Sequence, residues 1–552
     1  MKENSDILFI YEYPSVNDSK GHIADSNMKA YVLQRCKKVG VPVYKTSHYS
    51  MLPYALGNGK VDDFYLTTKK DKATSTTVFN GFYFADKDAF IFDDLQKAID
   101  EANPKIIICM SRLALSYFTN GDSIHAFRGS MLMHNGTPVL VTYGPLDLYK
   151  KTEWHMAWER DLYRVRLYLD KQLDWNTPVF SIDYKQSFDA VINTLTTIRN
   201  WVFDSPTKLA VDIETRVGSI SFIGVAWTRR DAIVIPFITW DDKSYWTADE
   251  EFQIVKLLRQ IMTHENARIR GQNFQYDLQY IVKLWGFKPV INIDTMVEAH
   301  VHFTKGLQLT LSYLASLYCE WYKYWKEDGK DFHKSFQTEA DWTQYALYNG
   351  YDCCYTFEVA DKLVEVSSRA SYQDAILMQR AMQNIVVKPV LRGLRFDKKK
   401  QLQWKSEYEK IINSYRAWFL YIVPNESVNA NGNADWFDSP TQLATFFYKQ
   451  LSIDPILDKK TRRPTTNDAA LAEIGRMEPI LRPLTDMLQS YRSLSQFYNL
   501  YLCARESPED GRMRTQYFLA DPLSEKIFRQ FSNASINLRL RSRSCSSSFI
   551  EI

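Results

Sequence analysis

Continuous apolar runs alternate with stretches of helical period along the first part of the chain. Ile7–Tyr11, Pro104–Cys109 and Pro138–Thr142 are such runs, and strands covered on both faces read this way. A further strand is expected near Val41–Lys45, and helices over about Asn27–Lys38, Asp94–Asn103 and Trp158–Leu169. Strands separated by helices predict a parallel α/β sheet. Lys171–Ser181, with Pro178 inside it, reads as a linker. Beyond it, Leu209, Val211 and Ile213 alternate with other residues in Leu209–Thr215, which predicts a strand. Ile220–Trp227 and Ala232–Phe237 continue as a meander, with Thr228–Asp231 as the turn. Thr247-Ala248-Asp249-Glu250 is a capping box opening a helix with Phe252, Val255 and Leu258 on one face. From about Tyr372 the period is that of long helices, over Ala375–Val387 and Lys398–Ile422.

The strand Leu209–Thr215 also carries chemistry. Alternate side chains share a face, so Asp212 and Glu214 project together, opposite Val211 and Ile213. Two close carboxylates raise each other's pKa unless a positive group lies between them. Oxygen-only donors favour a hard ion, Mg²⁺ or Mn²⁺. Taken alone, the pair is better read as a solvated strand end than as a metal site. Two further stretches follow it in order. In Gly271–Asp277, Asn273 reads as an N-cap, and Asp277 sits one turn into a helix marked by Leu278, Ile281, Val282 and Leu284. In Tyr345–Asp352, Tyr348 and Asp352 are four apart and share a helix face.

The ordered set Asp-x-Glu, Asn-x-x-x-Asp, Tyr-x-x-x-Asp resembles the three motifs of the DEDD 3′–5′ exonucleases in their tyrosine variant, and Asp294-Thr295-Met296 resembles the "DTM" stretch of that family. The resemblance covers residues 180–368 and implies an RNase H-like fold and phosphodiester hydrolysis assisted by two Mg²⁺ (or Mn²⁺) ions. It implies that Asp212 bridges both ions, that Glu214 and Asp352 complete one site, and that Asp277 acts from behind them. Tyr348 would orient the attacking water, because a phenol with a free pKa of about 10 is poorly ionised at neutral pH. Thr215 and Asn273 match positions near the terminal nucleotide. They are equally well explained as strand-end and cap residues.

Length then changes the picture, because 552 residues are too many for one domain. The apolar content of 45% suffices for packed cores, and a net charge of +3 means that nucleic-acid binding relies on local basic patches. Seven scattered cysteines form no C-x-x-C pair, so neither zinc nor a disulfide framework is indicated. No signal peptide and no membrane-spanning run is read, and a cytoplasmic location is expected.

Residues 1–172 resemble the uracil-DNA glycosylase superfamily. Tyr11-Glu12-Tyr13-Pro14-Ser15 matches its Gly-Glu-x-Pro-Gly at Glu12 and Pro14 only, Arg128-Gly129 matches its Arg-Gly, and Gly144 stands where that family has its histidine. Glycine offers no donor to a developing charge on the base, and Tyr11 narrows a pocket for a flipped base. The expectation is an inactive glycosylase-like module, with Glu12 a structural carboxylate.

Residues 372–520 resemble the start of the polymerase part, or thumb, of family A DNA polymerases. The matching stretches are Leu391–Asp397, Ser439-Pro440-Thr441-Gln442-Leu443, Pro464–Asn467, Tyr491-Arg492 and Gly511–Tyr517. In the second, Ser439 reads as an N-cap, Pro440 as the first helical residue and Gln442 as the capping-box partner. Past Ala520 the metal-binding aspartates of the palm and the nucleotide-binding helix of the fingers are not found, and residues 521–552 are a basic, Ser-rich tail of disordered composition. The expected fold is therefore α/β: a parallel-sheet glycosylase-like domain, an RNase H-like exonuclease domain and a mostly helical partial thumb. The expected function is the N-terminal portion of a family A polymerase with a proofreading exonuclease, truncated, interrupted or frame-shifted, and without primer extension by this chain alone. Its expected partners are DNA, as a single-stranded 3′ end or a primer-template, and a separate palm-and-fingers chain. The alternatives are a stand-alone DEDD ribonuclease and a non-catalytic DNA-binding subunit of a split polymerase.

Overall fold

The computed structural model describes residues 5–13, 27–52, 77–79, 82–84, 91–119, 121, 123–216, 218–303, 307–326, 338–395, 397–428, 435–458, 463–504, 510–514 and 519–520. Pro14, Ser15, the end of the Gly511–Tyr517 stretch and the tail 521–552 lie outside them. The chain divides into two compact units, the first running to Val387 and the second from Lys388 to Tyr517.

Among its described residues the first unit contains two large sheets and a small antiparallel pairing of Thr77–Phe79 with Phe82–Phe84. In the N-terminal large sheet, β1 (Ile7–Tyr11) is an interior strand and entirely buried. It pairs in parallel with β2 (Thr46–Ser50) and with β3 (Ile106–Met110), and β5 (Thr137–Val141) continues the parallel set. The strand β4 (Met131–His134) closes the edge antiparallel to β5. The helices α1 (Asn27–Lys38), α2 (Ile91–Ala102), α3 (Arg112–Phe118) and α4 (His155–Leu169) connect or cover these strands. The strand expected at Val41–Lys45 is instead Thr46–Ser50. Its register starts with Thr46 beside Ile7, and its half-buried polar residues give an edge strand no apolar signature. Glu12 accepts from the Ser111 hydroxyl and from the Leu113 N–H at 3.3 Å, so it sits at the N-terminus of α3. Tyr11 is buried, with its hydroxyl 3.0 Å from His48 Nδ1, and Gly144 caps the short helix Pro145–Lys150.

The stretch read as a linker is anchored at its middle. Leu173 and Trp175 are buried, and Trp175 Nε1 donates to the Leu132 carbonyl at 2.9 Å. Its end, β6 (Ser181–Asp183), already belongs to the second sheet. That sheet has six strands in the order β11-β10-β7-β8-β9-β6. Here β7 is Thr207–Arg216, β8 Ser219–Ala226, β9 Asp231–Pro236, β10 Ala267–Gly271 and β11 Ile291–Asp294. The meander β7–β8–β9 is antiparallel, whereas β10 and β11 run parallel to β7. The connecting helices are α5 (Phe188–Asp204), α6 (Ala248–Met262), α7 (Gln275–Trp285), α8 (Thr295–His302) and α9 (Leu311–Tyr318), followed by the long α10 (Glu339–Ser368). The capping box Thr247/Glu250 forms, but α6 buries Ile254, Leu258 and Ile261 and leaves Phe252 exposed. The helical stripe is therefore offset from the expected one, with Leu258 common to both.

In the second unit, α12 (Lys398–Ile422) spans the predicted residues; before it, α11 (Gln373–Arg392) runs across the division between the units. Leu394–Arg395 pairs antiparallel with Arg512–Met513, so two of the thumb-like stretches are joined. Ser439 caps Gln442 N–H and Pro440 opens the helix as read, but Gln442 Oε1 is buried with no partner, so the reciprocal bond of a capping box is missing. Tyr491 is buried, bonded to Arg416 and Asp438, and Arg492 donates to the Thr466 carbonyl at 2.6 Å. No helix among the described residues is long and apolar enough to cross a membrane.

Candidate active site

The site lies where α10 crosses β7 and β8. Gly224 on β8 stands beside Asp212 in the register of the pair. A Cβ at Gly224 would lie 2.5 Å from Asn349 Oδ1 and 2.5 Å from Cys353 Sγ, both on α10. Glycine at this position therefore permits the helix to approach the strand closely. The approach brings three carboxylates together. Asp212, Glu214 and Asp352 each offer an oxygen within 4.8 Å of the others.

Each carboxylate is held by a specific neighbour. Asn349 Nδ2 donates to Asp212 Oδ2 at 2.8 Å, the Tyr345 hydroxyl donates to Glu214, and Trp325 Nε1 donates to Asp352 Oδ1 at 2.6 Å. Asp277, in the first turn of α7, accepts the Ile213 N–H at 2.8 Å, which ties that helix to the strand between Asp212 and Glu214. Tyr348 stacks on Tyr345 with ring centroids 5.9 Å apart, and its hydroxyl accepts from Lys326 Nζ at 2.7 Å.

The expected N-cap at Asn273 is corrected. Phe274 is the cap residue and Asn273 has φ +54°, because Asp294 draws in the loop. Asp294 accepts the N–H groups of Asn273 and Phe274 at 3.0 and 2.8 Å and also caps α8. The "DTM" aspartate thus builds the loop that presents Asp277. Thr215 bonds the Tyr276 hydroxyl at 2.6 Å.

Electrostatically the site is short of positive charge: the carboxylates Asp212, Glu214, Asp277 and Asp352 face one ammonium among the described residues, that of Lys326. Burial, then the nearby Asp277, Glu214 and Asp352, push the Asp212 carboxyl well above the carboxylate range. Burial likewise pushes Glu214 up to about 8, against the lowering effect of the Tyr345 bond, and Asp277 up to about 7. Burial and the adjacent Asp352 keep Tyr348 neutral at ordinary pH. At Lys326, burial opposes the charge but Asp352 outweighs it, so the ammonium persists. A divalent cation fits: all donors are carboxylate oxygens, and their mutual repulsion is what it would relieve.

The sequence motifs assign no role to Tyr345 and Asn349, although with Asp352 they repeat at helical spacing on one face. Nor do they assign one to Trp325 and Lys326, which come from a stretch of irregular backbone with no periodicity to mark them.

Residues 182–367 match the family model described as 3′–5′ exonuclease. DNA polymerase I of Pseudomonas aeruginosa is 23% identical over 399 residues, covering 68% of this chain and 41% of that protein. DNA polymerase I of Synechocystis sp. is 23% identical over 167 residues, covering 30% of this chain and 16% of that protein. The chain thus spans less than half the length of either relative. A solved structure, the POL domain of Pol1 from M. smegmatis in complex with DNA primer-template and dNTP, aligns over 60% of this chain and 52% of its own, with TM-score 0.40 and 15% identity. By the family match, with which the two polymerase relatives agree, residues 182–367 of this chain are a 3′–5′ exonuclease domain of the family A DNA polymerase type.

Proposed function

We propose that this domain removes nucleotides from the 3′ end of DNA, and that the chain is the N-terminal portion of a family A DNA polymerase in which the reaction proofreads. The observation that carries the reading is the triad Asp212, Glu214 and Asp352, with oxygens within 4.8 Å. Two Mg²⁺ or Mn²⁺ ions would supply charge neutralisation on the phosphate, a more acidic water and a stabilised leaving 3′-oxygen. Asp212, Glu214 and Asp352 would hold them. Asp277 holds the strand through Ile213 N–H and acts from behind the ligands. Tyr348, neutral, orients the attacking water by hydrogen bonding. Thr215 and Asn273 flank the terminal nucleotide. In this reading the chain works in the cytoplasm, with DNA as its partner, and the N-terminal sheet is a scaffold that does not excise uracil. Purified protein with Mg²⁺ or Mn²⁺ should release label from a 3′-end-labelled single strand, and Asp212→Ala should slow this by several orders of magnitude. Equal release by Asp212→Ala would show that the site is misassigned.

A further inference from the structure

Among the described residues, one ammonium stands within bonding distance of the metal-site carboxylates. Lys326 Nζ lies 2.9 Å from Asp352 Oδ2, 3.2 Å from Asp352 Oδ1 and 2.7 Å from the Tyr348 hydroxyl. Its side chain is 24% exposed.

The placement is built from the edge of the N-terminal sheet and from the helices α4 and α10. The Met131 N–H on β4 donates to the Tyr322 carbonyl at 2.7 Å, and the Tyr324 N–H donates to Ser130 Oγ at 3.0 Å. One turn earlier, buried Arg164 on α4 donates to the Ser316 and Cys319 carbonyls at 2.7 Å each, which satisfies the C-terminal end of α9. Trp325 then stacks on Tyr355 of α10 with centroids 4.2 Å apart. A lysine carried on backbone fixed at so many points is positioned, not draped over the surface.

We propose that Lys326 is a positioning residue of the exonuclease site: its ammonium sets the Tyr348 hydroxyl against Asp352 and competes with the divalent ion for Asp352. The proposal rests on the exonuclease reading. The donor geometry supports the first part. Because Lys326 donates to the Tyr348 oxygen, the phenolic hydrogen must point elsewhere, which leaves it free to donate to the attacking water or the phosphate. The second part follows from charge. Asp352 has both oxygens engaged by the ammonium and is also a member of the metal triad, and two cations on one carboxylate repel. Loading of the ion would move Lys326 off Asp352 and leave its bond to Tyr348.

The two consequences have opposite signs, which separates them from a merely structural role. Binding of Mn²⁺ to the full chain, followed by electron paramagnetic resonance of the free ion, should tighten roughly tenfold or more in Lys326→Met, because a competing cation is gone. Turnover at saturating Mn²⁺ should nonetheless fall roughly tenfold or more, and adding Tyr348→Phe should then cost almost nothing further. Lys326→Gln, neutral but polar, should reproduce the tighter binding if Lys326→Met is poorly folded. Weaker or unchanged Mn²⁺ binding in both variants would overturn the proposal, as would full additivity with Tyr348→Phe. Failure of the unsubstituted protein to bind Mn²⁺ would instead overturn the exonuclease reading beneath it.

Discussion

Gly224→Ala tests how closely the catalytic geometry depends on one backbone approach. The added Cβ would meet Asn349 Oδ1 and Cys353 Sγ at 2.5 Å. Ordinary contact needs about 1 Å more, so α10 must retreat from β8 by that order. Neither neighbour can swing clear. Asn349 is bonded to Asp212, and Cys353 is fully buried. Overpacking of this kind costs about 1–3 kcal/mol, which corresponds to a melting temperature several degrees lower. The effect on turnover should be disproportionate. Asn349 and Asp352 ride on the same helix, so the retreat opens the triad, and a misplacement of about 1 Å can cost about 10²-fold in rate. Thermal unfolding by circular dichroism, with release of 3′ label at a temperature where both proteins are folded, measures the two effects separately. A Gly224→Ala protein with unchanged melting and unchanged turnover would refute the claim that this contact sets the carboxylate spacing.

Tyr348→Phe should lower turnover by about 10–10²-fold, less than Asp212→Ala, since it removes orientation and not a metal ligand; a loss equal to that of Asp212→Ala in single-turnover assays would assign the phenol a larger role. Stability of the metal-free protein should fall as pH rises. Glu214 and Asp277 have raised carboxyl pKa values, so the folded chain holds protons that the unfolded chain has released, and stability is lost across the window from 4.5 to about 8 for Glu214 and from 3.8 to about 7 for Asp277. Melting curves in chelator should show that slope, Mg²⁺ should reduce it, and a flat profile would contradict the picture of uncompensated carboxylates. In an Asp212→Ala background, a uracil-containing oligonucleotide should yield no alkali-labile sites above background, because Gly144 offers no side-chain donor and Glu12 is engaged at the start of α3; strand scission would give the N-terminal sheet an activity of its own.

The carboxylate set was legible in the sequence because each member sits in a short regular element. Asp212 and Glu214 follow a strand period and Tyr348 and Asp352 a helix period, so their faces could be read before any contact was known. The same periodicity marks Tyr345 and Asn349, which share that helix face with Asp352. Trp325 and Lys326 had no such signal. Their position depends on bonds from Ser130, Met131 and Arg164, far away in the chain, and on α9. Asn273 shows a local rule overridden from a distance: cap preference favoured it, but Asp294 takes its N–H and the backbone turns left-handed. In the fold, buried strands such as Ile7–Tyr11 were plain from their apolarity, whereas Thr46–Ser50, a polar edge strand, owes its place to pairing with β1.

The most direct test of the central claim is the direction of digestion and its requirements. A single strand labelled at its 5′ end, incubated with the protein and Mg²⁺, should give a ladder that shortens from the 3′ end with time. The ladder should vanish in chelator, with Asp212→Ala, and when the 3′ terminus is blocked by an inverted nucleotide. Release of the 5′ label as a mononucleotide before any ladder of shortened strands appears, internal cleavage of the blocked strand, or digestion that persists in chelator would contradict an exonuclease built on Asp212, Glu214 and Asp352.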